Sequence, residues 1–210
     1  MTYRNDNGTG AQQLPLLVVL SGPSGAGKDA VLDEMSRRGH AFHRVVTCTT
    51  RPPRDNEVEG VDYFFVTDAQ FDKLIANDGL LERAEVYGRR YGVPRQQIVE
   101  QLRGGLDVYV RTDVQGASTI KRLAPGAVLI FIAPSSLDEL EQRIRARGSD
   151  GEEQIQRRLQ TAQAEMARRG EFEYVIVNEP GRLEATVDRL LEVLDVERMK
   201  PRQPIEGLAS

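Results

Sequence analysis

Cysteine and histidine are almost missing from this chain. A single cysteine, Cys48, excludes an internal disulfide and any cysteine-based metal cluster, and two histidines, His40 and His43, leave little for zinc. Catalysis therefore rests on other groups. Lysine is scarce too: of 28 basic residues only Lys28, Lys73, Lys121 and Lys200 are lysine, and the rest are arginine. Arginine carries the planar fork that grips phosphate and carboxylate through two bonds at once, so where the arginines cluster matters more than their total. A basic excess is absent as well. The net charge of -4 and pI near 5.4 argue against bulk attraction to nucleic acid or anionic lipid, and no protein partner is implied. Long apolar runs are also lacking: Leu14 to Leu20, which contains Pro15, falls far short of the roughly 20 residues of a spanning helix. It has neither the basic flank nor the small-residue cleavage site of a signal peptide, so a cytoplasmic protein is expected. There is no internal repeat and no low-complexity tract.

What is present is an ordinary globular composition. The chain has 210 residues, 40% hydrophobic and 29% charged, with a mean hydropathy of -0.44, which fits one soluble domain or one core with a small insertion. Apolar runs alternate with helix-period segments: LLVVL then DAVLDEMSRR, DVYVRT then VQGASTIKRL, AVLIFIA then SLDELEQRIRAR, YVIV then RLEATVDRLLEVL. Short continuous apolar strands followed by helices predict an α/β fold whose parallel sheet is covered on both faces. Residues 14–43 and 106–198 carry this rhythm. Residues 44–105 break it and fit a small, partly antiparallel insertion. A charged, glycine-broken link, RARGSDGEE, follows, with Ser149 or Asp150 as the expected N-cap of the next helix. Residues 1–13 and 199–210 read as frayed tails.

Directly after the first strand stand Gly22, Pro23, Ser24, Gly25, Ala26, Gly27, Lys28 and Asp29, and a helical pattern follows. This is GxxxxGK in strand-loop-helix context, the phosphate-binding P-loop. Glycines let the backbone wrap a phosphate with its N–H groups, the helix N-terminus adds positive potential, and the lysine reaches the outer phosphates. The expected ligand is ATP with Mg²⁺. The motif normally ends in Ser or Thr, whose hydroxyl ligates the metal, but here it ends in Asp29.

A second anionic pocket is suggested by the insertion. Thr47-Cys48-Thr49-Thr50-Arg51-Pro52-Pro53-Arg54 gathers hydroxyls and two arginines within eight residues, and Tyr63 and Tyr91 add phenol donors. Together SGPSGAGK, TTRPPR with EVEGVDYFFV, LLERAEVYGRRYG, DVQG, RIRARGSDGEE with RRLQTAQAEM, and VIVN make the chain resemble the guanylate kinases over about residues 15 to 198. The resemblance implies a P-loop NTPase core with a parallel five-stranded sheet flanked by helices. It also implies a GMP-binding insertion, an arginine-bearing lid near residues 143–170, and transfer of the ATP γ-phosphate to GMP or dGMP. Carried over by position, it puts Thr47, Arg51, Arg54, Tyr63 and Tyr91 at the GMP phosphate, and Glu82 and Asp113 at the base. It puts Arg147, Arg158 and Arg143 at the phosphates of ATP, and Asn178 near the adenine. The chemistry of Glu82 agrees, since guanine presents N1–H and N2–H₂ as adjacent donors that one carboxylate accepts together, whereas adenine presents a lone pair at N1.

Three departures from that pattern stand out. Asp29 replaces the hydroxyl after the P-loop lysine, and Arg111 replaces an acid two residues before the DVQG aspartate. Two readings stand side by side: Asp29 takes over metal or metal-water coordination while Arg111 balances its charge or touches phosphate, or metal handling is degraded and turnover is lost. Val93-Pro94 stands where relatives carry Ser-Thr. The substitution removes one neutral hydrogen bond to guanine, worth about 1 kcal/mol, and Pro94 fits the first turn of the next helix instead. Cys48 fits a small buried filler. Two alternatives to GMP phosphorylation are a kinase for another phosphorylated acceptor, such as ribose 1,5-bisphosphate, and a non-catalytic guanylate-kinase-like interaction module.

Overall fold

A computed structural model of the chain describes residues 14–54, 57–86, 88–146 and 151–201. Its main sheet has five strands: β1 (Leu17–Ser21), β2 (Phe42–Arg44), β7 (Asp107–Arg111), β8 (Val128–Pro134) and β9 (Tyr174–Asn178). They run parallel in the order β2-β7-β1-β8-β9. Strand β1 is central, and every residue of it is fully buried. Its alternation explains the continuous apolar run: Leu17 and Val19 enter one hydrophobic cluster with Val110, Ile120 and Phe131, while Val18 and Leu20 enter another with Leu32, Ile130 and Leu190. A strand buried on both faces has no solvent side on which to place polar residues. The covering helices are α1 (Lys28–Arg37) and α7 (Leu183–Met199) on one face and α3 (Arg95–Arg103) and α4 (Val114–Leu123) on the other.

A second sheet holds β3 (Thr47–Thr49), β4 (Tyr63–Phe65), β5 (Leu80–Val86) and β6 (Arg89–Pro94), in the order β4-β3-β6-β5. β3 runs parallel to β4 and antiparallel to β6, which pairs antiparallel with β5. Helix α2 (Asp68–Ala76) completes this layer, entered through a capping box in which Thr67 and Gln70 bond each other's backbone N–H. Its small core is Cys48, Phe71 and Leu80. Pro94 ends β6 and is also the N-cap of α3, whose Ile98 already belongs to the main core.

Helices α5 (Leu137–Ala146) and α6 (Glu152–Ala167) form a third unit with its own cluster of Leu140, Ile144, Ile155 and Ala162. Gly151 stands at the N-cap of α6, beyond the expected Ser149 or Asp150, both of which lie outside the described residues, as do residues 1–13 and 202–210. Among the described residues no helix is long and apolar enough to cross a membrane.

Candidate active site

The loop between β1 and α1 has a shape that only glycine permits at two points. Gly22 has φ +130°, and a Cβ there would lie 2.1 Å from the carbonyl oxygen of Ile132. Gly27, the N-cap of α1, has φ +95°, and its Cβ would lie 2.3 Å from Asn178 Nδ2. Backbone therefore approaches β8 and β9 where any side chain would collide. Asn178 fills that approach: its Nδ2 donates to the Ala26 carbonyl at 2.8 Å, and its Oδ1 accepts from Thr186 at 3.0 Å. Arg143, on α5, donates to the carbonyls of Asn178 at 2.7 Å and Ala26 at 3.3 Å, and pairs with Glu139. Asn178 and Arg143 thus buttress the loop from behind, a role the sequence did not reveal. Lys28 folds back over the loop, with Nζ on the carbonyls of Gly22 and Pro23.

In front of the loop lies a cleft of about 480 Å³. Gly22, Ser24, Gly25, Gly27, Lys28 and Asp29 line one side, and Thr47, Tyr63, Glu82 and Tyr91 from the second sheet line the other. Asp113 and Arg111 close it at the carboxyl end of β7, and Val93 contributes an apolar wall. This is the crevice outside the strand ends where α/β sheets bind ligands. The register of the small sheet sets its wall: Thr47 lies beside Tyr63, and Thr49 lies opposite Tyr91. The tyrosine rings meet edge-on at 6.1 Å. A β-bulge at Leu81, where Leu80 pairs with Pro94 but Glu82 already with Val93, immediately precedes Glu82. Such bulges bend a strand and re-aim the next side chain.

Two carboxyls in this cleft are electrostatically poised. Glu82 is only 8% exposed, and burial, with the charge of Asp113 adding to it, pushes its pKa up to about 7. Glu165, on α6, also lines the cleft; burial and Asp113 raise its pKa, against the pull of Lys28. Glu165 was not singled out in the sequence, where its helical position looks like any solvated one. Asp113 has a second task as the N-cap of α4, accepting from Gly116 N–H at 2.8 Å.

Arg51, Arg111 and Arg44 are already engaged. Arg51 makes a two-pronged pair with Glu57 at 2.7 and 2.8 Å, and its guanidinium lies 5.2 Å from the centre of the Tyr63 ring. An incoming phosphate must compete with Glu57 for it. Arg54 is exposed, its backbone N–H donating to Glu57. Arg158 is half-buried on α6, and Arg147 lies outside the described residues. Asp29 is bonded by Arg111 and, at 2.5 Å, by Arg44, which also reaches Asp33 at 2.7 Å. Arg44 too escaped notice in the sequence. Cys48 is buried, with its thiol pushed up to about 11 by burial, as a packing residue.

With this geometry in hand, three comparisons agree. The sequence model of the guanylate kinase family matches residues 15–197. The guanylate kinase of Thermobifida fusca is 46% identical over 173 residues, covering 82% of this chain and 88% of that protein. That of Carboxydothermus hydrogenoformans is 43% identical over 188 residues, covering 90% and 91%. The crystal structure of guanylate kinase from Anaplasma phagocytophilum superimposes with a TM-score of 0.70 at 32% identity, covering 90% of this chain and 88% of that one. A family match over nearly the whole length, with the P-loop and the facing small sheet in place, means that the chain belongs to the guanylate kinase family.

Proposed function

We propose that the protein transfers the γ-phosphate of ATP to GMP, with dGMP as a second acceptor, in purine nucleotide metabolism. The observation that carries this reading is that the phosphate loop and the guanine-side residues line one continuous cleft. Phosphoryl transfer needs little covalent work from the protein; it needs donor and acceptor held in line and charge neutralised. P-loop N–H groups and Lys28 take the donor phosphates. Thr47, Tyr63, Tyr91 and Arg51, with Arg54 from the loop edge, suit the acceptor phosphate, and Glu82 with Asp113 suits the guanine edge. Arg158 and Arg147 belong to the segment that brings charge in when the lid closes and water leaves. Asn178 and Arg143 act in this reading by fixing the loop that holds ATP.

Among the described residues no group of three or more His, Cys, Asp or Glu could hold a metal by itself. A single hard carboxylate does fit Mg²⁺ that arrives on the nucleotide, because this ion is commonly bound through one or two carboxylates plus substrate phosphates. Asp29 is that residue: both arginines engage its Oδ1, so Oδ2 is the oxygen suited to the ion or its water. When bound, Mg²⁺ supplies charge neutralisation at the β- and γ-phosphates.

The test is nucleoside-diphosphate production from ATP with GMP, dGMP, AMP and ribose 1,5-bisphosphate in parallel, with Lys28→Ala as control. Turnover with GMP and dGMP, lost in the control, is expected. Turnover with the sugar phosphate alone contradicts the reading, and none with any acceptor points to a binding module.

A further inference from the structure

Two arginines share Asp29, and they are not equivalent. Arg44 sits on β2 and bridges Asp29 to Asp33. Arg111 ends β7, in register with Leu20 of β1, two residues before the loop begins at Gly22. Its side chain lines the same cleft as Lys28 and Gly25. Its Nε is buried and has no acceptor, so the resting guanidinium holds one donor unsatisfied. Its partner is a weak anchor, because the Asp29 side chain is 62% exposed and water screens the pair. Loss of Arg111 does not orphan Asp29, since Arg44 stays on the same oxygen. A polyphosphate offers a planar fork several charged oxygens at once, a better partner than one shared carboxylate oxygen. Charge points the same way. A hydroxyl and an acid, the usual occupants of these two positions in P-loop folds, are together negative until a metal arrives, whereas Asp29 and Arg111 are together neutral.

We propose that Arg111 is a ligand for the polyphosphate of the donor nucleotide, parked on Asp29 until the nucleotide enters, so that donor binding is partly independent of the divalent cation. This rests on the reading of the P-loop as the ATP site. Arg44 is the positioning residue that keeps Asp29 in place once Arg111 has moved to phosphate. Because the metal then supplements a guanidinium already present, removing it weakens ATP binding less than it would at a hydroxyl-and-acid site.

The test is calorimetric titration of the full chain with ATP in EDTA and in Mg²⁺, for wild type, Asp29→Ala, Arg111→Ala and the double variant, with Lys28→Ala alongside and thermal melting to show that each variant is folded. If Arg111 only neutralises Asp29, its removal matters only while Asp29 is present. If it binds phosphate, removal matters more once Asp29 has gone. In the Asp29→Ala background, Arg111→Ala is expected to weaken metal-free ATP binding at least about tenfold, the scale of one charge-assisted contact. A change below about twofold there overturns the proposal. ATP binding that Lys28→Ala weakens and Arg111→Ala does not removes the proposal alone. No ATP binding by the wild type in either buffer removes the donor-site reading with it. Arg111→Lys, which keeps the charge without the fork, is the second variant and is expected to recover part of the loss.

Discussion

Asn178 Nδ2 bonds the carbonyl of Ala26 at 2.8 Å across 152 residues, tying the end of β9 to the phosphate loop. Asn178→Ala removes the shorter of two bonds to that carbonyl, leaving the longer one from Arg143, removes one of the two acceptors of the Thr186 hydroxyl, and opens space beside Gly27. The expected cost is about 1–3 kcal/mol of stability. The KM for ATP should rise while the KM for GMP changes little, because the loop and not the small sheet is loosened. Thermal unfolding together with KM for both substrates checks this; equal rises in both would mean that Asn178 acts on the whole domain.

Gly22 tests the shape of the loop. Gly22→Ala places a methyl 2.1 Å from the Ile132 carbonyl oxygen at a φ that side chains rarely adopt. Clash and strain together cost about 3 kcal/mol or more, which in a chain of this size lowers Tm by roughly 6–12 °C. ATP binding should fall with it. A melting curve within a degree of wild type would show that the loop relaxes freely.

Glu82 gives the site a pH dependence of defined sign. Its pKa in the free protein is raised to about 7, and guanine donors favour the ionised form, so the bound pKa lies lower. GMP affinity is therefore full above pH 7 and falls as pH drops through 7, approaching tenfold per unit. The GMP phosphate titrates near pH 6 and adds its own slope. Glu82→Gln should remove the upper part of the fall and keep the lower. The same shift bears on folding. Because the folded pKa exceeds the unfolded one, the free protein is more stable below pH 4.5 with respect to this group. That stability is lost as pH rises towards 7, so Glu82→Gln should raise Tm at pH 8.

Cys48 should be silent. Burial pushes its thiol up to about 11, so at pH 8 roughly one molecule in a thousand carries the thiolate. Reaction with a disulfide reagent should run at least about a hundredfold slower in the native protein than in denaturant. Rapid native labelling would mean that the small sheet opens readily.

Much of this was legible in the residues because the informative signals are local. LLVVL before SGPSGAGK reads as strand and loop without any distant partner, and the alternation of apolar runs with helical segments fixed a parallel sheet. Thr47, Tyr63, Glu82, Tyr91 and Asp113 were recognisable through motif resemblance, and they line one cleft with the loop. What stayed hidden depends on contacts across the chain. The pairing of Arg111 with Asp29 follows from their joint departure from the family pattern, but Arg44, which meets the same carboxylate oxygen, carries no such signal. Arg143 reaches the loop over 117 residues, and Glu165 enters the cleft only because α6 packs beside it. The bulge before Glu82 depends on register with β6, which neither strand carries alone.

Acceptor choice is the most direct test of the account. The ratio of kcat/KM for GMP over AMP should be measured for wild type and Glu82→Gln at pH 8, where the carboxylate is ionised. A carboxylate that accepts both N1–H and N2–H₂ predicts a wild-type ratio of about 10³ or more, and a variant ratio at least about a hundredfold smaller. A ratio unchanged by Glu82→Gln would contradict the assignment of this cleft to guanine.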